Sequence, residues 1–97
     1  MSRWKTVFVP EAKDDLDKLT SAVRERVIEK LAWLEHNFDN ITPLTLGAKW
    51  QGFFKIRIGD WRAIYRINWD AEEIVVVVVR HRSEVYRRKP RTGSDRY

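Results

Sequence analysis

The sequence predicts an α+β domain: an N-terminal strand and a helical hairpin packed on a mostly antiparallel four-stranded sheet. Three observations lead there. The 97 residues suit one domain of ordinary size. Apolar residues recur at helical spacing between residues 12 and 38, then alternate at strand spacing over residues 53–67. A Gly-Asp pair and a polar turn separate three strand-like runs in the second half of the chain.

Taken in order, Trp4–Val9 is rich in β-branched and aromatic residues and reads as the first strand. Pro10 ends it and suits the first turn of a helix. Ala12, Leu16 and Leu19 follow at helical spacing, with Lys13, Asp14, Asp15, Asp17 and Lys18 between them. Thr20-Ser21 breaks this short helix and offers a cap for the next. Val23, Val27, Leu31, Leu34 and Phe38 then mark an amphipathic helix of about five turns. The two helices should form a hairpin whose apolar stripes cover one face of a sheet. Residues 37–47, with Pro43, read as a loop. Phe53–Ile58 and Trp61–Ile67 are alternating runs joined by Gly59-Asp60, a strong hairpin signal. Asn68–Glu73 is a turn, and Ile74–Val79 is apolar on both faces, as an interior strand requires. The domain should span residues 1–88, with 89–97 a basic, flexible tail.

Charged residues reach 34%, but five Trp, four Phe and three Tyr supply the apolar area that a disordered chain lacks. The absence of cysteine excludes a disulfide scaffold, a thiolate zinc site and a Cys nucleophile. Met1-Ser2-Arg3-Trp4-Lys5 lacks the apolar core of a signal peptide. No apolar run approaches the roughly 18 residues of a spanning helix. The expectation is a soluble cytoplasmic protein with no membrane partner, no metal and no cofactor.

The net charge of +5 conceals a partition. Residues 49–66 carry five basic side chains against one acidic, and residues 80–97 carry seven against two. Residues 67–79 between them are net −3. Brought together by the fold, the two basic blocks would form a site for a polyanion. A basic surface that only confers solubility fits the same composition.

A two-residue Gly59-Asp60 loop fixes the hairpin register: Ile58 opposite Trp61, Arg57 opposite Arg62, Lys55 opposite Ile64, Phe54 opposite Tyr65. One face then reads Phe54, Ile56, Ile58, Trp61, Ala63 and Tyr65, the side for the helices. The other carries Lys55, Arg57, Arg62 and Arg66, with no carboxylate among them. Directly opposed arginines are destabilising by up to about 1 kcal/mol. An anion lying over the pair reverses that sign, and guanidinium forks suit phosphate oxygens. Arg80-His81-Arg82 adds positive charge at the end of the last strand, and Arg80 should arrive near Arg62. Trp33, Trp50 and Trp69 are assigned to packing, and His36 to a surface or capping role.

The run Leu46-Gly47, then Phe54-Lys55-Ile56-Arg57-Ile58-Gly59-Asp60-Trp61-Arg62-Ala63-Ile64-Tyr65, then Arg80-His81-Arg82-Ser83-Glu84-Val85-Tyr86, resembles the RelE family of bacterial toxins. The resemblance covers roughly residues 3–87. It implies a microbial-ribonuclease-like fold and an endoribonuclease that cleaves mRNA in the ribosomal A site, held inactive by a cognate antitoxin. It also implies a toxin–antitoxin complex that binds operator DNA through the antitoxin. Lys55, Arg57, Arg62, Arg80 and Tyr86 match the family's catalytic positions, and His81 is an additional candidate. Arg66, Arg82, Arg87 and Arg88 are candidate RNA phosphate contacts. Arg57 stands where the best-known member carries lysine.

Such chemistry needs a base for the 2′-hydroxyl, stabilisation of the phosphorane, and a proton for the leaving 5′-oxygen, without a metal. Arginine keeps its proton at any relevant pH, so proton transfer rests with Lys55, Tyr86 or His81. Arg62 and Arg80 would hold the pentacovalent phosphate. Two other readings fit the same residues: a ParE-like inhibitor of DNA gyrase, which shares the fold, and a non-catalytic basic RNA-binding module.

Overall fold

The computed structural model describes residues 3–47 and 50–84. Its elements run β1 (Lys5–Phe8), α1 (Pro10–Asp17), α2 (Ser21–Asn37), a 3₁₀ turn (Phe38–Asn40), β2 (Leu44–Thr45), β3 (Phe54–Ile58), β4 (Trp61–Asn68) and β5 (Glu73–His81). The sheet order is β1-β5-β4-β3-β2, with β1 parallel to β5 and every other pairing antiparallel. Two helices on a mostly antiparallel sheet is the architecture read from the sequence, with one correction: the sheet has five strands. The extra strand, Leu44–Thr45, lies in the segment assigned to a loop and pairs with Phe54 and Lys55. Two exposed residues leave no periodicity for a sequence to display.

The helices begin and end where local chemistry directs. Pro10 occupies the first turn of α1. Thr20 caps α2, its Oγ1 accepting from the Val23 N–H at 3.3 Å. Arg24 on α2 reaches back to the open carboxyl end of α1, donating to the carbonyls of Leu16, Asp17 and Leu19 at 3.3, 3.3 and 2.9 Å. The Leu16 carbonyl also accepts from the Leu19 N–H at 3.1 Å. At a helix end short of N–H partners, the one guanidinium adds donors and locks the helical hairpin. His36 is exposed, its Nδ1 2.9 Å from the Ala32 carbonyl oxygen, in keeping with the surface role expected of it.

One face of the sheet meets the helices. Val27, Leu31 and Leu34 of α2 and Ala12 and Leu16 of α1 pack with Ile56, Ile58, Ala63, Tyr65, Ile74, Val76 and Val79. Ile56, Ile58, Ala63 and Tyr65 are on the side that the hairpin register assigns to the helices; Ile74, Val76 and Val79 come from β5. The opposite face holds a second apolar cluster of Phe53, Ile64, Val75, Val77 and Val78, with Leu46 and Trp50 packed against it. The face expected to be basic is therefore basic near the hairpin turn and apolar towards the sheet centre. Of the tryptophans assigned to packing, Trp50 packs edge-on against Phe53 at 5.8 Å. Trp69 stacks edge-on against Trp4 yet remains 66% exposed, and Trp33 is 44% exposed under the Lys30 ammonium. No described helix is long and apolar enough to cross a membrane. Tyr86, Arg87, Arg88 and the 89–97 segment lie outside the described residues.

Candidate functional site

The hairpin turn sets the geometry. Gly59 adopts φ +60°, a conformation open to glycine without a Cβ clash, and Ile58 pairs with Trp61 across a two-residue loop. Arg57 stands opposite Arg62, and Arg62 stands opposite Arg80. Three arginines thus share one row across β3, β4 and β5, with Cα neighbours about 4.5–5.5 Å apart. Lys55 lies two residues along β3 from Arg57 on the same face, roughly 7 Å away.

Arg80 joins this row through an irregularity in β5. Ile64 pairs with Val78 but Tyr65 pairs with Val76, so Val77 is an extra residue, a β-bulge. Val77 and Val78 both join the cluster on the face away from the helices, while Val76 and Val79 both pack towards them. Strict alternation from Ile74 would send Arg80 to the helices and His81 to the row. The bulge reverses both. His81 lies on the helix side, edge-on to Trp61 at 5.5 Å, with Nδ1 3.0 Å from the Ser83 hydroxyl. It is not brought together with Lys55 and Arg57.

The row's side chains meet different surroundings. Arg57 is exposed, and Lys55 and Arg62 are half-buried. Arg62 folds over the turn, its Nη1 donating to the carbonyls of Gly59 and Trp61 at 2.8 and 2.9 Å. Arg80 donates from Nε to Asp15 Oδ1 at 3.2 Å, and Asp15 is itself only 4% exposed. The sequence suggested no carboxylate near these cations. Asp15 arrives from α1, and its position three residues after Ala12 and four before Leu19 put it on the buried stripe, a signal obscured by its charged neighbours. Arg66 is half-buried one pleat past Ile64, its Nε buried without a partner among the described residues. Arg82 is exposed, and its N–H donates to the Asp60 carbonyl at 2.8 Å.

Two cations were missed. The Arg26 Nη2 lies 2.7 Å from where a Cβ on Gly59 would stand. A groove between α2 and the edge of β3 is lined by Arg26, Lys30, Trp33 and Arg57, with one carboxylate, Glu29, among them. The cationic surface therefore continues around the hairpin tip onto α2. Residues 26, 30 and 33 do share a helical stripe, but only the fold shows that it borders the hairpin. Beneath, Tyr65 is 1% exposed and burial pushes its phenol up to about 12, so it stays protonated at neutral pH.

Residues 7–86 match the family described as the ParE toxin of the type II toxin–antitoxin system parDE. Toxin RelG of Mycobacterium tuberculosis is 31% identical over 87 residues, covering 84% of this chain and 93% of the relative. Among solved structures, the toxin–antitoxin complex RelBE2 from Mycobacterium tuberculosis contains a chain with TM-score 0.72 and 26% identity, covering 80% of this chain and 96% of that one. A mutant of E. coli toxin RelE in the free state gives TM-score 0.71 at 24% identity over 90% and 93% of the two chains, a likeness of fold. Family match, relative and fold agree: the chain belongs to the ParE toxin family within the RelE/ParE superfamily, and is a toxin of a type II toxin–antitoxin system.

Proposed function

We propose that this toxin is a ribosome-dependent mRNA endoribonuclease that halts translation by cutting mRNA in the ribosomal A site. The observation that carries the reading is the row Arg57–Arg62–Arg80 with Lys55 beside it on the same face. A toxin that only bound an apolar partner would have no use for three adjacent guanidinium groups. A phosphorane, with its concentrated negative charge, would be stabilised by them. Arg62 and Arg80 hold the pentacovalent phosphate, Arg57 contributes charge, and Lys55 accepts the 2′-hydroxyl proton once it has lost its own. Tyr86 is the proposed partner for the leaving 5′-oxygen. The products are a 2′,3′-cyclic phosphate and a 5′-hydroxyl. His81, turned to the helix side, is left out of this assignment.

Arg26, Lys30, Arg66 and Arg82 extend the cationic surface and would contact ribosomal and messenger RNA phosphates, a salt-sensitive term. Arg87 and Arg88 are proposed to add to it. A cognate antitoxin neutralises the toxin, by analogy with the toxin–antitoxin complexes among the structural relatives. The complex would reach operator DNA through that antitoxin. Primer extension on translated mRNA after induction tests the reading: codon-phased cuts are expected, and intact mRNA would sink it. The match to the ParE family favours one other target, DNA gyrase. Inhibition of gyrase supercoiling by the purified toxin, with mRNA uncut, would establish that alternative.

A further inference from the structure

Asp15 is the one buried charged residue among those described, and it lies at the margin of the proposed site. Pairing between β1 and β5 ends at Phe8–Val76, so the edge of β5 beyond Val76 has no strand beside it there. Val79 is 1% exposed, and its N–H would be buried and unpaired. Asp15 Oδ2 accepts that N–H at 3.1 Å, and Oδ1 accepts from Arg80 Nε at 3.2 Å. One carboxylate thus holds both the backbone before Arg80 and the inner nitrogen of its guanidinium. The four N–H donors on the two Nη atoms remain for other acceptors. Glu84 Oε1 stands 3.8 Å from Nη1, a surface ion pair beyond hydrogen-bond reach that leaves those donors uncommitted.

We infer that Asp15 is a positioning residue for Arg80, orienting its guanidinium so that the two terminal nitrogens face the reacting phosphate; this rests on the nuclease reading above. The electrostatics sharpen the inference. As a plain neighbour, a carboxylate beside a polyanion site weakens binding. Towards the site, its contribution lies in the geometry it imposes on Arg80, since a misplacement of about 1 Å can cost on the order of 10²-fold in rate. The Val79 N–H that it also accepts is a separate, structural role.

Asp15→Asn separates the two effects. Asparagine keeps one oxygen for the Val79 N–H, but its amide nitrogen is a donor and cannot accept from Arg80 Nε. Single-turnover cleavage on programmed ribosomes should fall on the order of 10²-fold, while ribosome affinity holds or tightens because a negative charge is gone. The same substitution in an Arg80→Ala background should leave the cleavage rate unchanged. In ¹⁵N spectra of the free protein, the Arg80 Nε–H should be protected from solvent exchange in the native chain and unprotected in Asp15→Asn. A native cleavage rate in Asp15→Asn, a matching loss of affinity and rate, or an Nε–H that exchanges equally in both proteins overturns the role. Failure of the nuclease reading looks different: the native chain leaves mRNA whole, and the Nε–H signal still decides whether Asp15 orients Arg80.

Discussion

Arg62 and Arg66 leave β4 on the same face, roughly 13 Å apart along the strand, and their surroundings separate their roles. Arg62 is tied to the turn by two carbonyls and stands in the arginine row. Arg66 stands opposite Val75, beside the apolar cluster. Arg62→Ala should lower single-turnover cleavage by roughly 10²–10³-fold, the usual loss for one donor to a developing oxyanion. Arg66→Ala should mainly weaken ribosome association, reducing its salt slope by about one ion. Neither belongs to the helix-side core, so both variants should fold; equal losses of rate would remove Arg62 from the site. Tyr65 gives a prediction of another kind. Its phenol titrates near 10 in the unfolded chain and at about 12 in the fold, so the unfolded state sheds that proton first. Stability should fall as pH rises from about 10 to 12, by roughly 3 kcal/mol in full. Tyr65→Phe should flatten that decline in urea titrations across this range.

Two elements decide how the site is presented. The β3–β4 turn needs Gly59 in the left-handed region, where a Cβ costs about 1–2 kcal/mol. Gly59→Ala also places its methyl against the Arg26 guanidinium, the movable end of a flexible side chain. The backbone cost therefore dominates, and the urea midpoint should drop by the equivalent of about 1–2 kcal/mol without a change in slope. An unchanged midpoint would mean that the turn is not held as described. The other element is the carboxyl half of β5. Its bulge at Val77 turns Arg80 towards Arg62 and His81 towards Trp61. Its open edge is closed by Asp15 in place of a strand. Bulges beside sites commonly re-aim a side chain in this way.

At the scale of the molecule, the helices and the larger apolar core lie on one side. By register the arginine row leaves the sheet on the other, and the Arg80 guanidinium reaches Asp15 of α1 at the open edge of β5. Cations from α2 extend that basic surface around the hairpin tip. Such a surface should bind polyanions with strong salt dependence. Expression of the chain alone is expected to stop growth and protein synthesis. Co-expression with the cognate antitoxin, expected to be a small acidic protein encoded beside it, should restore both and yield a complex on purification. Normal growth with abundant folded toxin would contradict the proposed activity.

The sequence alone determined the strand–helix–helix–strand order, the helix start at Pro10 and the cap at Thr20, and the hairpin register about Gly59-Asp60. Each depends on contacts between residues close in the chain, through a fixed dihedral, a side-chain cap or a two-residue turn. It also placed Arg57 against Arg62, because a tight turn leaves a ladder no freedom to slip. Tertiary structure decided the rest. The valine run carries no sign of which residue is extra, so the faces taken by Arg80 and His81 depended on how β5 fits β4. Leu44–Thr45 became a strand only because β3 offered an edge. Asp15, Arg26 and Lys30 reached the site from helices distant in sequence, and a buried carboxylate on an acidic helix looks like its solvated neighbours until the strand it caps is in place. Local chemistry encodes turns, caps and alternation; a bulge or a cross-element ion pair arises from packing among parts that sequence order does not bring together.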